Sequence, residues 1–445
     1  MDGIRRRRGR GHPTTKNIGS SIFILTLFVL GSSLLFIIWR TNLSSITKYD
    51  AAMHDEDLPQ SPESDGNIKK SPYQSRNRSS SEDEVNIWDE IIRGEIHLVE
   101  IDAGGIRRTK DGYRGGMAAF CKLDWDTYKE NSPSLPMFRF LVSKSGCDGR
   151  KNRVVVDDLP MIVKKMKEYD DSLKPSSRRD IRSMNPTGFV FHESRVGSTL
   201  VANSLTAMSA ANRVFSESNP INTALKTDIP QLLRDVVYLM GRTNKAEEQN
   251  LFFKVSSIGS KRISVFREAF RDTPWIFVYR DPLQTMMSHL DPAKVGTRKN
   301  GRIMAVCTRA RHDPPRDLND LVERHGKRIE TLSDHQFCAA HLASLCDSAL
   351  SELKKPNNNG RAVEYDGLID KLLDDIIPNH FGVTIDNDAR QRVLKVSKTY
   401  SKSKNQGVDW VEDSGEKEAK STPEIRSASQ LFLSQSYAEL KEYTL

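Results

Sequence analysis

The sequence predicts an α/β protein whose parallel sheet is covered by helices, preceded by a single transmembrane helix and a stem. Three features lead to this prediction: a buried strand that opens into a glycine-containing loop near residue 195, a second apolar strand that ends near residue 280, and a long apolar run close to the N-terminus. Strand-like and helix-like segments alternate between the two strands. This alternation is typical of a sheet that binds its ligands at the carboxyl ends of the strands.

The apolar run from Ser20 to Trp39 is predicted to cross a membrane. Its length of about 20 residues, at 1.5 Å per residue, matches the roughly 30 Å hydrocarbon core of a bilayer. A basic tail, residues 1–19, precedes it, so the positive-inside rule keeps the N-terminus in the cytosol and sends the remainder into the lumen. A cleaved signal peptide is the alternative, but the run is long for one and the segment around Arg40 offers no small-residue cleavage site. We therefore expect a single-pass, type II signal anchor.

Residues 40–85, which follow the predicted anchor, are rich in polar and charged residues. They contain too few large apolar side chains to form a core, so we expect a disordered stem. Asn42 and Asn77 each begin a glycosylation sequon, and a lumenal stem would make Asn77 an acceptor. The rest of the chain is interpreted as an N-terminal extension, residues 86–180, and a main α/β domain, residues 181–445.

The loop Arg195-Val196-Gly197-Ser198-Thr199 is the most informative motif of the chain. It joins a predicted strand, Gly188 to Phe191, to a helix that is predicted to begin near Leu200. Such a junction directs backbone N–H groups and the positive end of the helix dipole at one point, and Gly197 lets an anion approach the backbone closely. No Gly-Lys-Ser/Thr occurs in the chain, so the lysine and the magnesium ligand of a Walker-type hydrolase are missing. We predict an anion-binding loop without a dedicated magnesium ligand.

Apolar periodicity predicts the elements that follow this loop. Helical spacing of apolar residues is expected after Leu200, across Ile263 to Phe270, and from Leu368 to Ile377. Pro378 is expected to end the last of these helices. Leu251 to Val255 is predicted to be a short strand. The result is a series of strands connected by helices.

A second anion-binding segment is predicted at the end of the strand Trp275 to Tyr279. This continuous apolar and aromatic run is typical of a fully buried parallel strand. Arg280-Asp281-Pro282 follows it, and a short helical stretch extends to His289. Arg280 at the strand end and Ser288, about two turns along the helix, are the side chains expected to hold a second phosphate.

Together these motifs resemble those of the membrane-bound sulfotransferases that use 3′-phosphoadenosine 5′-phosphosulfate. That family has an Arg-x-Gly-Ser/Thr-Ser/Thr loop, similar to Arg195 to Thr199, and a later Arg-Asp-Pro with a serine some eight residues on, similar to Arg280 to Ser288. Val363 to Leu368 resembles a third family segment, Tyr-Glu/Asp-x-Leu. The resemblance covers roughly residues 186–400. It implies a sulfotransferase fold with a P-loop-like parallel sheet, a Golgi membrane location, and sulfuryl transfer to a hydroxyl or amine of a glycan or protein acceptor.

The resemblance also implies how the donor is held. The 5′-phosphosulfate would contact the first loop and the 3′-phosphate the second segment, through Arg195, Val196, Gly197, Ser198, Thr199, Arg280 and Ser288. Fixed donors there would stabilise the charge that develops on the leaving phosphate oxygen, and no metal is required. The alternative is that the two arginines form surface ion pairs and that the serines cap helices.

The acceptor needs a general base, and Glu217 is the first candidate. Its position after the loop helix resembles that of the acidic residue in the tyrosylprotein and some carbohydrate sulfotransferases, although it could equally cap a helix or pair with a surface lysine. His192 and Glu193, just before the loop, are second choices, and His289 is a third. Lys254, on a predicted strand, could reach the transferred group or could extend from a sheet edge to solvent.

The cysteines predict one or two disulfides in a lumenal protein, since they are too few for a disulfide scaffold: Cys121, Cys147, Cys307, Cys338 and Cys346. Their spacing leaves the connectivity open, and a bridge between Cys121 and Cys147 is the pairing that we prefer. Cys338, His341 and Cys346 have helical spacing and are interpreted as a core face, with a zinc site as the alternative.

Two other functions remain open. Asp124-Trp125-Asp126 fits the D-x-D motif of metal-dependent Golgi glycosyltransferases, but such tripeptides are common by chance. The second alternative is a catalytically inactive protein with a sulfotransferase-like fold that only binds a partner or glycan.

The charge pattern bears on the partners. The net charge of +8 belongs partly to the N-terminal tail, and nucleic acid is not an expected partner in the lumen. A basic cluster could attract an anionic acceptor or could be a solvated loop: Lys294, Arg298, Lys299, Arg302, Arg309 and Arg311.

Overall fold

The computed structural model describes residues 81–173, 181–291, 295–297, 301–399 and 418–444. The predicted tail, anchor and stem, with both sequons, lie outside the described residues apart from the last residues of the stem. Among the residues that are described, no helix is long and apolar enough to cross a membrane. The predicted membrane topology and the domain boundaries therefore stay predictions.

The strands of the described residues are β1 (His97–Asp102), β2 (Arg107–Thr109), β3 (Gly112–Arg114), β4 (Met117–Cys121), β5 (Val154–Asp157), β6 (Arg182–Ser183), β7 (Gly188–His192), β8 (Asn212–Ser216), β9 (Arg242–Thr243), β10 (Asn250–Lys254), β11 (Trp275–Tyr279) and β12 (Gly360–Glu364).

The α-helices are α1 (Ser81–Arg93), α2 (Trp125–Glu130), α3 (Phe138–Lys144), α4 (Leu159–Ser172), α5 (Ser198–Met208), α6 (Asn219–Lys226), α7 (Pro230–Met240), α8 (Ile263–Ala269), α9 (Pro282–Leu290), α10 (Arg316–Arg324), α11 (Asp334–Leu353), α12 (Leu368–Lys371), α13 (Asn387–Ser397), α14 (Pro423–Phe432) and α15 (Ser434–Lys441). Short 3₁₀ helices include Ser257–Arg262 and Val306–His312.

A five-stranded parallel sheet with the order β12-β11-β7-β10-β8 is the centre of the fold. Three of its strands, β7, β10 and β11, contain continuous apolar runs because both faces of the sheet are covered. Phe189 and Phe191 of β7 point into one apolar core, whereas Val190 between them points into the other, as the twofold repeat of a strand requires. The predicted α/β class, with a parallel sheet covered by helices, is confirmed.

Residues before β6 form smaller antiparallel sheets. β1, β4 and β5 pair in the order β1-β4-β5, and β2 and β3 form a two-stranded hairpin between β1 and β4. Leu98 of β1 and Phe120 of β4 belong to the same apolar core as Phe189 and Phe215 of the central sheet. The N-terminal extension and the central sheet therefore share one core.

Two predicted helix ends differ from those of the structure. α5 begins at Ser198, two residues before the predicted start. The prediction that Pro378 ends a helix is wrong, because α12 continues as a π-helix, Leu372–His380. A π-turn joins residues five apart, as when the N–H of Phe381 donates to the carbonyl of Ile376 at 2.8 Å. This wider turn lets the chain continue past a proline that has no N–H to donate.

Two disulfides are present in the described part of the chain. Cys121 pairs with Cys147, as preferred from the sequence, and Cys307 pairs with Cys338. Cys346 is free and buried. His341 is buried on the same helix, α11, as Cys338 and Cys346, which supports the core interpretation of that face.

Candidate functional site

The two predicted anion-binding segments leave neighbouring strands of the central sheet. After β7 the chain continues to β8, at one edge of the sheet. After β11 it continues to β12, at the opposite edge. Connections that diverge in this way open a crevice outside the carboxyl ends of the two strands, and ligands of open α/β sheets bind in such a crevice. The Arg195 loop and Arg280 both border it.

The Arg195 loop has the backbone of an anion site. Arg195 and Gly197 have positive φ angles of 55° and 82°, and α5 begins directly after them. The first amides of a helix, here those of Ser198 and Thr199, have no acceptor within the helix. The hydroxyl of Thr199 is buried and has no hydrogen-bond partner among the described residues. The loop thus offers unpaired donors at the positive end of a helix.

The side chains of the loop point in two directions. Val196 is fully buried in the apolar core, so only its backbone can contribute to a ligand site. Arg195 is exposed, and no ion pair joins it to a carboxylate of the described residues. The alternative of a surface ion pair is therefore not supported for Arg195 within the described part of the chain.

Gly197 is required by a close approach between two segments. A Cβ at this position would lie 2.5 Å and 2.6 Å from ring atoms of Tyr365, which follows β12. The N–H of Tyr365 in turn donates to the carbonyl of Tyr279 at 2.8 Å. The ring of Tyr365 therefore lies directly against the loop.

The same ring positions Arg280. The Arg280 guanidinium lies 4.2 Å from the centre of the Tyr365 ring, and its Nε donates to Oε1 of Gln284 at 2.7 Å. Arg280 is only 6% exposed. A nearly buried guanidinium held on an aromatic face is preorganised to bind an oxyanion. Ser288 is half-buried on α9, about two turns beyond Arg280.

Glu193 links the two predicted anion-binding segments. Its carboxyl group is buried and accepts a hydrogen bond from the backbone N–H of Arg280. Oε1 of Glu193 has no partner among the described residues. Burial raises the pKa of Glu193 well above its ordinary value, and the nearby charge of Asp281 acts in the same direction. Glu193 and His192, the two second choices for the base, are both buried.

Glu217 lies at the end of β8, where it contacts two basic residues. Its backbone has a positive φ of 53°, and its N–H donates to the carbonyl of Lys254 at 2.6 Å. Its carboxylate forms an ion pair with the ammonium of Lys254, and Nε2 of His192 lies 4.0 Å from Oε1. The Glu217 side chain remains 17% exposed, whereas that of Lys254 is fully buried.

The interpretation of Lys254 as a lysine that extends from a sheet edge to solvent is wrong. β10 lies between β7 and β8, so the side chain of Lys254 leaves an interior strand and stays inside the protein. His289, the third candidate base, is buried on α9.

Sequence reasoning missed two contacts at this site. It noted the segment around Tyr365 without assigning the ring a role against Gly197 and Arg280. It also missed Ser260, whose hydroxyl donates to the carbonyl of His192 at 2.9 Å and accepts from the N–H of His192 at 3.0 Å. The strand end before Tyr365 was a usable signal, whereas no local pattern distinguishes Ser260 from other serines.

The D-x-D tripeptide has structural roles. Asp124 caps α2 and accepts from the backbone N–H and the hydroxyl of Thr127 at 3.1 Å and 2.6 Å, which lowers its pKa. Asp126 forms an ion pair with Lys245 at 2.8 Å. No group of three potential metal ligands occurs among the described residues.

Comparisons with known proteins add little. No protein-family model and no curated protein matches the chain. Among solved structures, the chain is similar to a sulfotransferase domain from the curacin biosynthetic pathway, with a TM-score of 0.33 and 11% sequence identity over 57% of this chain and 98% of that chain. This similarity is too distant to support a function.

Proposed function

We propose that this protein is a sulfotransferase that moves a sulfuryl group from 3′-phosphoadenosine 5′-phosphosulfate to a hydroxyl or amine of a glycan or protein. The observation that carries the proposal is the divergence of the Arg195 loop and Arg280 from adjacent strands, because it gives one crevice two separate anion-binding elements. A donor with a phosphosulfate at one end and a 3′-phosphate at the other matches two such elements. The choice of this particular donor rests on the resemblance of the sequence motifs to those of the sulfotransferases that use it.

The residues of the Arg195 loop fit the phosphosulfate end. The amides of Ser198 and Thr199, the orphaned hydroxyl of Thr199 and the exposed guanidinium of Arg195 can all donate to its oxygens. Donors that are fixed before the reaction stabilise the charge that develops on the leaving oxygen. Arg280, held on Tyr365, would bind the 3′-phosphate together with Ser288.

Glu217 is the proposed base. As the acceptor oxygen or nitrogen forms its bond to sulfur, the bond from sulfur to the phosphate oxygen breaks, and the acceptor proton passes to the carboxylate. The adenosine bisphosphate leaves with the electron pair of the broken bond. Lys254 holds the carboxylate at the end of the sheet, and His192 is the second group close enough to take part. The partial exposure of Glu217 leaves the carboxylate accessible to an acceptor.

The proposed cellular setting follows from the sequence alone. An anchor at residues 20–39 with a basic tail before it would place this site in the lumen of the Golgi, where secreted glycans and proteins are modified.

The test is calorimetric titration of the full chain with adenosine 3′,5′-bisphosphate in chelator, and in parallel with uridine diphosphate plus manganese. We expect metal-independent binding of the bisphosphate, lost in Arg195→Ala combined with Arg280→Ala. Arg316→Ala with Arg328→Ala, two arginines with 95% and 81% exposed side chains, is the matched control and should bind normally. Manganese-dependent binding of uridine diphosphate instead would move the assignment to a glycosyltransferase. Binding of neither nucleotide by the folded chain would leave a binding protein without catalytic function.

A further inference from the structure

β5 is an open edge of the small antiparallel sheet β1-β4-β5. It pairs with β4 on one side, and no strand of the described residues pairs with its other side. Every second residue of an edge strand directs its N–H and C=O groups away from the sheet. In the described part of the chain, the backbone of Val154 to Asp157 forms no hydrogen bonds other than those to β4. The outer edge of β5 therefore offers unpaired backbone groups to another strand.

The centre of this edge is apolar and uninterrupted. Natural edge strands are often protected by a proline or by a bulge that turns the edge away. Val154, Val155 and Val156 are three consecutive β-branched residues, and their pairing with β4 runs without a shift of register. Val155, in the middle of them, is 45% exposed. Nothing in β5 itself therefore prevents a second strand from pairing with it.

The charges around β5 change sign from one end to the other. Lys151 and Arg153 precede the three valines, whereas Asp157 and Asp158 come directly after them. Arg153 is held by an ion pair with Glu100 of β1. The other three charged side chains are exposed and form no ion pair with a side chain of the described residues. The segment is therefore basic at its beginning and acidic at its end.

The basic cluster noted in the sequence differs from this segment. Arg302 and Arg311 both contact the Asp334 carboxylate, at 3.1 Å and 3.5 Å. Three other members of the cluster lie outside the described residues: Lys294, Arg298 and Lys299. The described part of the cluster is thus partly neutralised by its own acid, whereas Lys151 and Asp157 have no such partner within the parts of the chain that the structure covers.

A strand with this order of charges is complementary to an antiparallel copy of itself. When Val155 lies opposite Val155 of a second copy, Arg153 of each chain lies opposite Asp157 of the other. Opposite side chains are about 5 Å apart at Cβ, and opposite charges placed there stabilise a sheet. Lys151, two residues earlier, then lies at the same acidic end. A parallel arrangement would instead bring like charges together.

The apolar core favours the same register. Val154 and Val156 pack against the core that the extension shares with the central sheet, whereas Val155 lies on the other face of β5. Directly opposite residues share a face, so pairing of Val155 with itself keeps the cores of both copies on one side. The two three-stranded sheets would then join into one continuous antiparallel sheet.

We propose that β5 pairs with β5 of a second copy of this chain in antiparallel orientation, so that the protein forms a homodimer about a twofold axis. A foreign strand would need a matching order of charges, whereas a second copy supplies it by symmetry. The paired edge has four residues in each chain, which is a small contact area, so the dimer should be weak. This inference goes beyond the proposed sulfotransferase function and uses none of the residues of the candidate site.

The experiment measures the mass of the full chain by sedimentation equilibrium over a series of protein concentrations. Detergent is present because residues 20–39 are predicted to cross a membrane. Lys151→Glu and Asp157→Lys each reverse one exposed charge, and the double variant reverses both. Lys395→Glu and Asp388→Lys are the matched controls, at exposed positions of α13, where Val393 packs into the other apolar core.

We expect the wild type to dimerise with a dissociation constant of about 1–100 µM. Each single variant should dimerise roughly three- to tenfold more weakly, because the twofold axis repeats every unfavourable contact. An equimolar mixture of Lys151→Glu and Asp157→Lys should dimerise more tightly than either variant alone, since the new glutamate of one chain then faces the new lysine of the other. The double variant should recover in the same way. Arg153 stays in place, so the recovery is partial.

The control variants of α13 should stay within about twofold of the wild type. All variants should have the wild-type free energy of unfolding in urea, because the reversed charges form no ion pair among the described residues of a single chain. Three results would overturn the inference: a monomeric wild type across the whole series, wild-type dimerisation of both single variants, or no gain when the two are mixed. Wild-type dimerisation of both single variants would mean that another surface, such as the predicted anchor, joins the copies.

Discussion

Replacement of Gly197 by alanine tests whether Tyr365 couples the anion loop to Arg280. The backbone at Gly197 has φ +82°, and a left-handed conformation costs an L-residue roughly 1–2 kcal/mol. The new methyl group would also lie 2.5 Å from Cε2 of Tyr365, so the ring must move. Overpacking of this kind costs about 1–3 kcal/mol. We therefore expect Gly197→Ala to lower the free energy of unfolding by about 2–5 kcal/mol, the sum of these two contributions.

The donor site should be affected as well. Displacement of the Tyr365 ring removes the support of the Arg280 guanidinium, which lies 4.2 Å from the ring centre. A cation–π contact contributes about 0.5–2 kcal/mol, so the affinity for adenosine 3′,5′-bisphosphate should fall by roughly twofold to thirtyfold from this contact alone. Urea denaturation gives the unfolding free energy, and calorimetry gives the affinity.

Gly188→Ala is the matched control for this experiment. A Cβ at Gly188 would lie 2.5 Å from Cε1 of Phe381, a similar clash, but at the amino end of β7 and away from the anion loop. This variant should lose stability and keep its affinity for the bisphosphate. Tyr365→Ala, combined with Gly197→Ala, should recover the part of the stability that the clash cost. Normal bisphosphate affinity in Gly197→Ala, or additive effects in the double variant, would refute the proposed coupling.

Two further predictions concern the carboxylates of the site. Glu217→Gln leaves the buried Lys254 ammonium beside a neutral amide, so it should lower the free energy of unfolding, measured by urea denaturation, by about 3–5 kcal/mol and abolish sulfuryl transfer. Lys254→Met should lower the free energy of unfolding by less, because the Glu217 carboxylate that remains can reach water. Equal losses of stability in the two variants would contradict this reasoning. Glu193 keeps its proton in the folded protein at pH values where the unfolded chain releases it, since burial raises its pKa, so the stability of the wild type should decrease as the pH rises above the ordinary value of 4.5. Glu193→Gln should remove this decrease. If the free energy of unfolding depended on pH in the same way in both proteins, Glu193 would be ionised in the folded protein and the prediction would be wrong.

Local patterns predicted the elements that carry the site. The apolar runs at β7 and β11 indicated buried strands, and their charged ends indicated where a ligand would bind. The glycine at position 197 indicated close backbone approach. These features were readable because each depends on a few consecutive residues, whose burial or backbone conformation the residue types constrain directly.

Other features depend on residues far apart in the chain and left weaker signals. The pairing of Lys254 with Glu217 requires β10 and β8 to be neighbours. The position of Arg107 opposite Arg114 requires the register of a hairpin. Pro378 does not end the helix after α12, although a proline usually ends an α-helix, because this segment is a π-helix with a wider hydrogen-bond spacing.

The sequence by itself determined that the chain has a parallel α/β core, and it predicted two anion-binding segments at strand ends, because apolar periodicity and turn residues act over short distances. Tertiary structure alone decided that the two segments border one crevice, since strand order depends on which helices and strands pack together. It also decided that Tyr365 lies between Gly197 and Arg280. Such contacts join segments more than 80 residues apart in the chain, and only the packing of the whole core brings them within reach of each other.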